Sequence, residues 1–272
     1  MQSDAPNKLC VFGYGSLIWK PNFLYTKRSI GYITGYLRRF FQGNTLHRGT
    51  LNQPGRVATL VPTGKMDSRV WGCMYEVVGQ ANIEAALDQL IEREVVSGGY
   101  KFDRVLFHPF VSENKPCNCS STQTVSLSKK QLNRESVSEV LLHLTDPEVD
   151  LYLGDASLDA QASQIASAHG VSGANSEYVL LIAAFMRTEV PIEQAQKDDP
   201  YLFELEARIL DKLCSPTVIS STRQASSQGS SKKDTSQQTD SEVVERRRSS
   251  AREFAELHLI RRKYFSVGSV HF

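Results

Sequence analysis

Residues 9–20, LCVFGYGSLIWK, decide how this chain is read. An apolar run ends in Gly13-Tyr14-Gly15-Ser16, and Leu17, Ile18 and Trp19 are apolar again. The pattern predicts a buried strand, a tight turn and a return into the core. Glycine at 13 and 15 permits unusual backbone angles and close approach of another molecule to the main chain. Such a turn aims several N–H groups into one small space, a nest for an anion or an oxyanion, although a turn without any ligand has the same sequence. The order GYGS lacks the third glycine of a dinucleotide fingerprint and the Gly-Lys-Ser/Thr of a phosphate loop. Nor is it G-x-S-x-G, so Ser16 does not sit in a nucleophile elbow, and the useful atoms are the backbone N–H groups.

Outward from the turn, 31–41 (GYITGYLRRFF), 56–62 (RVATLVP) and 69–77 (RVWGCMYEV) are rich in β-branched and aromatic residues and separated by Gly, Pro and Asn. Residues 105–110 and 138–144 add two more strands. Helical spacing of apolar residues predicts helices over 80–94, 157–169 and 176–188, and a fourth opens at Asp199-Pro200 and runs to about Leu213. Short strands with few long helices between them predict an α+β fold, a mixed sheet curled into a small barrel and flanked by helices.

Two stretches have too little apolar surface to join that core. Residues 112–137 read as a polar inserted loop, and 215–241, dominated by Ser, Thr and Gln, as a disordered linker. The remainder, 242–272, reads as a charged helix and tail, with seven basic against four acidic residues over 242–263. It is either a plain solvated helix or a docking element for a regulatory protein partner with an acidic surface.

Bulk properties exclude several classes. A formal charge of +1 over 272 residues gives no global bias toward nucleic acid or an anionic membrane. No apolar run reaches the ~18–20 residues of a membrane helix, and the polar start MQSDAPNK does not lead into a signal sequence. Five scattered cysteines suit a reducing, cytoplasmic setting. Cys117 and Cys119, even with His108 and His143, do not have zinc spacing, so no metal is expected and these are read as free thiols on a loop.

One carboxylate points the wrong way. At about 100° per residue from Ile83, the side chains of Leu87, Leu90 and Ile91 stay within about 80° of one direction, and Glu94 falls at roughly 20°. Glu92 falls on the opposite side, and Glu84 and Asp88 also point away. Burial and the helix C-terminus both disfavour a negative charge at Glu94, which suits a general acid/base. A buried ion pair with Arg93 or Arg56 is the structural alternative.

The motifs FGYGSLIW (12–19), FQGNTLHRGT (41–50), PGRVATL (54–60), VWGCMYEV (70–77), REVVSGGY (93–100), YLG (152–154) and HGVSGANSEYVL (169–180) occur in this order. Together they resemble the ChaC-type, glutathione-specific γ-glutamylcyclotransferases over roughly residues 9–213. The resemblance implies a catalytic domain over 1–214 with a small β-barrel flanked by helices. It implies that the loop Phe12, Gly13, Tyr14, Gly15, Ser16 and Leu17 holds the γ-glutamyl moiety, that Glu94 is catalytic, and that Tyr100 and Tyr152 line the site. It also implies conversion of glutathione to 5-oxoproline and L-cysteinylglycine, without a cofactor. Action on other γ-glutamyl amides, or binding without chemistry, are the alternatives. Arg39, His47, Arg48 and Arg56 are basic candidates for the glycine carboxylate of glutathione, each with a structural salt bridge as its other reading.

Overall fold

The strand β5 (Arg69–Val78) is apolar on both faces and buried along most of its length. A strand is read this way when both of its faces are covered. It pairs antiparallel with β1 (Lys8–Gly13) on one side and with β2 (Lys27–Thr34) on the other. In the computed structural model, which describes residues 7–96, 100–110, 137–145 and 147–214, β6 (Tyr100–Pro109) and β7 (Ser138–Thr145) complete the sheet. The order β1-β5-β2-β6-β7 closes into a barrel, the seam being a parallel bridge between Val11 and Leu141. The description of residues 94–96 and 100 is of the backbone. The predicted linker and C-terminal docking element, and the predicted insert except Val137, lie outside the described residues.

The stretch expected to form one strand over 31–41 is divided. Gly35 adopts φ +86°, a left-handed conformation that glycine adopts without steric cost. The chain turns there, so β2 stays in the barrel while β3 (Tyr36–Asn44) leaves it to pair with β4 (Gly55–Pro62) as a separate hairpin.

Helices cover the hairpin and one side of the barrel. After α1 (Gln80–Leu90) come α2 (Leu158–Ser167), a small hairpin of β8 (His169–Gly170) and β9 (Gly173–Ala174), and α3 (Asn175–Glu189). The last two are α4 (Ile192–Asp198), which the sequence pattern does not announce, and α5 (Pro200–Cys214). On α5, Leu202, Leu205 and Ile209 recur at helical spacing and are fully buried, each contributing about 1.5–3 kcal/mol. Asp199 caps this helix as its sequence suggests, its carboxylate accepting from the Leu202 N–H at 3.2 Å. The same carboxylate meets the buried guanidinium of Arg38 on β3 at 3.1 Å, which fixes the helix against the hairpin. Burial pushes the Asp199 carboxyl up and the Arg38 guanidinium down, and their mutual attraction opposes both shifts.

Candidate active site

At the end of β1 the chain makes one short 3-10 turn, Ser16–Ile18. The Ile18 N–H donates to Gly15 O at 3.0 Å and the Lys20 N–H to Ser16 O at 2.9 Å. The buried Tyr75 hydroxyl braces the turn from below by donating to Leu17 O at 2.8 Å. Neither glycine of the turn adopts a positive φ. Gly15 has φ −125°, and the positive-φ glycines lie elsewhere. The need is for close approach: a Cβ on Gly15 would stand 2.6 Å from Tyr178 Oη, and one on Gly13 would stand 2.5 Å from Leu17 Cβ.

Beside the turn opens a cavity of about 780 Å³, lined among others by Ser16, Trp19, Lys20, Asn44, His47, Arg48, Glu92, Arg93, His143 and Tyr178. Four parts of the fold meet there. The first is the turn after β1. The second is the C-terminal extension of α1, where α-helical bonding gives way to a π-helical segment, Ile91–Val96. Arg93 in this segment donates to Ser16 Oγ at 2.6 Å and to Lys20 O at 2.5 Å, so the two parts are joined. The third is β7, whose buried His143 stacks on Tyr14 at 4.7 Å between ring centroids. The Tyr14 hydroxyl donates to the His143 carbonyl oxygen at 2.9 Å.

The fourth part is the loop between β3 and β4, held against β8, β9 and α3. Val171 and Ser172 donate their N–H groups to Leu46 O and His47 O, both at 2.9 Å. Arg48 Nη1 donates to Ala174 O at 2.9 Å and meets Glu177 at 2.5 Å. The Tyr178 hydroxyl accepts from the Ala58 N–H at 3.2 Å. The described lining carries Lys20, Arg48 and Arg93 against the carboxylate of Glu92. With the Glu177 carboxylate that pairs with Arg48 included, one positive charge is left in excess. That balance suits a small ligand with more negative than positive groups.

The predicted residues fall into distinct places. Ser16 faces the cavity, while Phe12, Tyr14 and Leu17 are buried supports beneath it. Gly13 and Gly15 provide the close packing of the turn. The Glu94 backbone lies in the π-helical segment and Tyr100 opens β6. Tyr152 is not among the cavity residues; it bridges to Gln42 and packs edge-on against Phe41. Of the four basic candidates, His47 and Arg48 line the cavity. Arg39 lies over the Tyr201 ring at 4.4 Å, and Arg56 donates to Phe40 O, Gly154 O and Gln164 Oε1, holding the hairpin to its neighbours.

Glu92 is exposed, in keeping with its place on the helical wheel, and it also lines the cavity. The π-helical segment has i→i+5 bonding, so the 100° step holds only as far as Ile91 and does not by itself place Glu94. His143, Arg93 and Tyr178 were not singled out as site residues. For His143 a signal existed, a lone imidazole within the apolar strand VLLHL. No group of three His, Cys, Asp or Glu able to hold a metal occurs among the described residues. No described helix is long and apolar enough to cross a membrane.

A five-stranded barrel with flanking helices and a small cationic cavity at a glycine turn defines the class of site. The chain belongs to the ChaC-like protein family, whose model matches residues 9–212. It is 40% identical over 204 residues to the zebrafish (Danio rerio) glutathione-specific γ-glutamylcyclotransferase 1, covering 75% of this chain and 90% of the relative. Against the human protein of the same name it is 37% identical over 193 residues, 71% of this chain and 75% of that one. Its fold is similar to a crystal structure of the yeast γ-glutamyl cyclotransferase specific to glutathione, with a TM-score of 0.60 and 25% identity. That match covers 76% of this chain and 97% of the yeast chain.

Proposed function

We propose that this protein is a glutathione-specific γ-glutamylcyclotransferase that converts glutathione to 5-oxoproline and L-cysteinylglycine. The observation that carries the reading is the junction of the glycine turn with the π-helical segment bearing Glu94, on one cationic cavity. Relatives at 37–40% identity carry the same activity in their names.

The substrate brings its own nucleophile. The α-amine of the γ-glutamyl group attacks its own side-chain amide carbonyl, a C–N bond forms, and a five-membered lactam closes. The bond to the cysteine nitrogen then breaks, and that nitrogen leaves as the amine of cysteinylglycine. Holding an internal nucleophile in line supplies a high effective molarity, so no enzyme nucleophile or activated water is needed. Glu94 takes one proton from the ammonium and gives it to the departing nitrogen. The attacking nitrogen sheds its second proton to water as the lactam forms, and the released amine takes one up. Backbone N–H groups of the Tyr14–Leu17 turn hold the oxyanion or the α-carboxylate. Since Ile18 and Lys20 N–H groups close the turn itself, an anion takes those that precede them. His47 and Arg48, which line the same cavity, are the candidates for the second carboxylate of glutathione.

The test is mass-spectrometric detection of 5-oxoproline from purified protein with glutathione, and in parallel with γ-glutamylalanine, both in EDTA. Release from glutathione alone is the expected result. Equal release from both would make it a broader γ-glutamyl amide cyclotransferase, and release from neither would leave the cavity a binding site.

A further inference from the structure

The glycine turn and the π-helical segment are more than seventy positions apart in sequence, and one side chain spans the gap between them. Arg93 places Nη1 on the carbonyl oxygen of Lys20 at 2.5 Å and Nη2 on the hydroxyl of Ser16 at 2.6 Å. These acceptors stand at the two ends of the turn that the Ser16–Ile18 segment makes. A planar guanidinium with two acceptors fixes direction as well as distance, which a single ammonium contact does not. Arg93 is followed directly by Glu94, within a π-helical segment. Such segments are rare and occur frequently at functional sites. The Ser16 hydroxyl is therefore an acceptor for Arg93, a role that explains a serine at this position without nucleophilic chemistry.

We propose that Arg93 is a positioning residue, whose fork on Ser16 and Lys20 sets the π-helical segment, and with it Glu94, in register with the substrate-holding turn. The proposal rests on the reading of Glu94 as the general base. It divides the labour of the REVV motif: Glu94 moves the proton, and Arg93 sets where the carboxylate starts from.

The experiment compares Arg93→Met, Arg93→Lys, Ser16→Ala and the double variant Ser16→Ala/Arg93→Met, with melting temperature, kcat and KM for glutathione measured on each. Misplacing a catalytic group by about 1 Å can cost about 100-fold, so Arg93→Met is expected to lose roughly 30–100-fold in kcat, with KM changed by less than about threefold. Arg93→Lys, which keeps one donor, recovers part of the loss. Ser16→Ala, which removes one of the two acceptors, costs about three- to fivefold alone and adds nothing on top of Arg93→Met, the mark of groups acting as a unit. A KM raised tenfold or more at unchanged kcat would make Arg93 a substrate carboxylate ligand and overturn the proposal. Losses from Ser16→Ala and Arg93→Met that multiply would overturn it too. If Arg93→Met does not fold, the same cycle is read on Arg93→Lys. Glu94→Gln separates the two levels: its retained activity removes the base assignment and the proposal with it. A dead Glu94→Gln with multiplying Ser16 and Arg93 effects removes the positioning role alone.

Discussion

Two of the walls that meet at the cavity are built on opposite plans. The turn over residues 13–20 grows out of a barrel strand, and its supports are interior side chains: Phe12, Tyr14 and Leu17 are fully buried, and Tyr75 braces the carbonyl of Leu17. What it offers the cavity is backbone, the Ser16 hydroxyl and, at its C-terminal end, the Trp19 and Lys20 side chains. The segment over residues 89–93 grows out of a helix end, and its polar side chains, Gln89, Glu92 and Arg93, reach the cavity from half-buried or exposed positions. Its hold on the rest of the molecule at this point includes the two hydrogen bonds of Arg93. A rigid wall suits the task of fixing the orientation of a substrate. A side-chain wall suits proton transfer, which needs a group whose ionisation the surroundings can set.

The comparison breaks most visibly if the chemistry is moved to the other wall. Glu94→Gln is expected to reduce turnover by about 10²–10⁴-fold while glutathione still binds, because a general base is lost and the turn is not. Glu92→Gln alters a cavity-lining carboxylate beside it, and a few-fold change, mainly in KM, is expected. Glu84→Gln, on the exposed side of α1, serves as the silent control. Steady-state kinetics on the three variants check this. A Glu94→Gln enzyme with more than a tenth of wild-type activity would place the base elsewhere, with Glu92 and His143 next in line.

The turn wall predicts a different ranking, in which shape matters more than functional groups. Gly15→Val puts a branched carbon where Tyr178 Oη stands 2.6 Å from even the first added atom. Tyr178 is itself buried and accepts from the Ala58 N–H, so it has little room to withdraw. Loss of about 100-fold or more in kcat/KM is expected, against the few-fold loss of Ser16→Ala. Kinetics of both, with ligand-induced shifts in melting temperature, test the ranking. A dead Ser16→Ala beside an active Gly15→Val would mean that the hydroxyl, not the backbone, does the work of this wall.

The same asymmetry decides what could be read from the sequence. Strand β1 and its turn are local: apolar alternation, two glycines and the returning apolar triplet are all within residues 9–20. The strands of the barrel and four of the five helices follow from the same local signals. Three features are not local. The break of 31–41 at Gly35 depends on where β3 finds its partner, since a glycine between two strand-like runs also fits a continuous strand. The course of the helix beyond Leu90 depends on a switch from α to π bonding, and a helical wheel assumes that no switch occurs. His143 and Tyr178 come to the cavity through barrel closure and the packing of α3, both set by contacts more than a hundred residues apart.

The smallest expected effect concerns the barrel behind the turn, and it sharpens the contrast because it leaves the π-helical wall untouched. Cys73 on β5 is the register partner of Gly13 and is fully buried. Burial pushes its thiol up from 9.0 to about 11, with the nearby Arg28 guanidinium pulling weakly the other way. The thiol is thus protonated at neutral pH and takes no part in turnover. Its effect appears in alkali. Between about pH 9 and 11 the unfolded chain gives up this proton while the folded one keeps it, so folding stability falls as pH rises through that window. A raised folded pKa has this sign, with the full contribution present below the unfolded value. Two pKa units correspond to at most about 2–3 kcal/mol. Denaturant unfolding of the wild type and of Cys73→Ala, measured across that window, reads the thiol together with its coupling to the neighbouring Tyr75 hydroxyl. The variant starts lower at pH 8 from its lost packing and then declines less steeply. Parallel slopes would mean that the thiolate is accommodated in the folded barrel as readily as in water, and that the wall behind the turn is more open to solvent than its packing indicates.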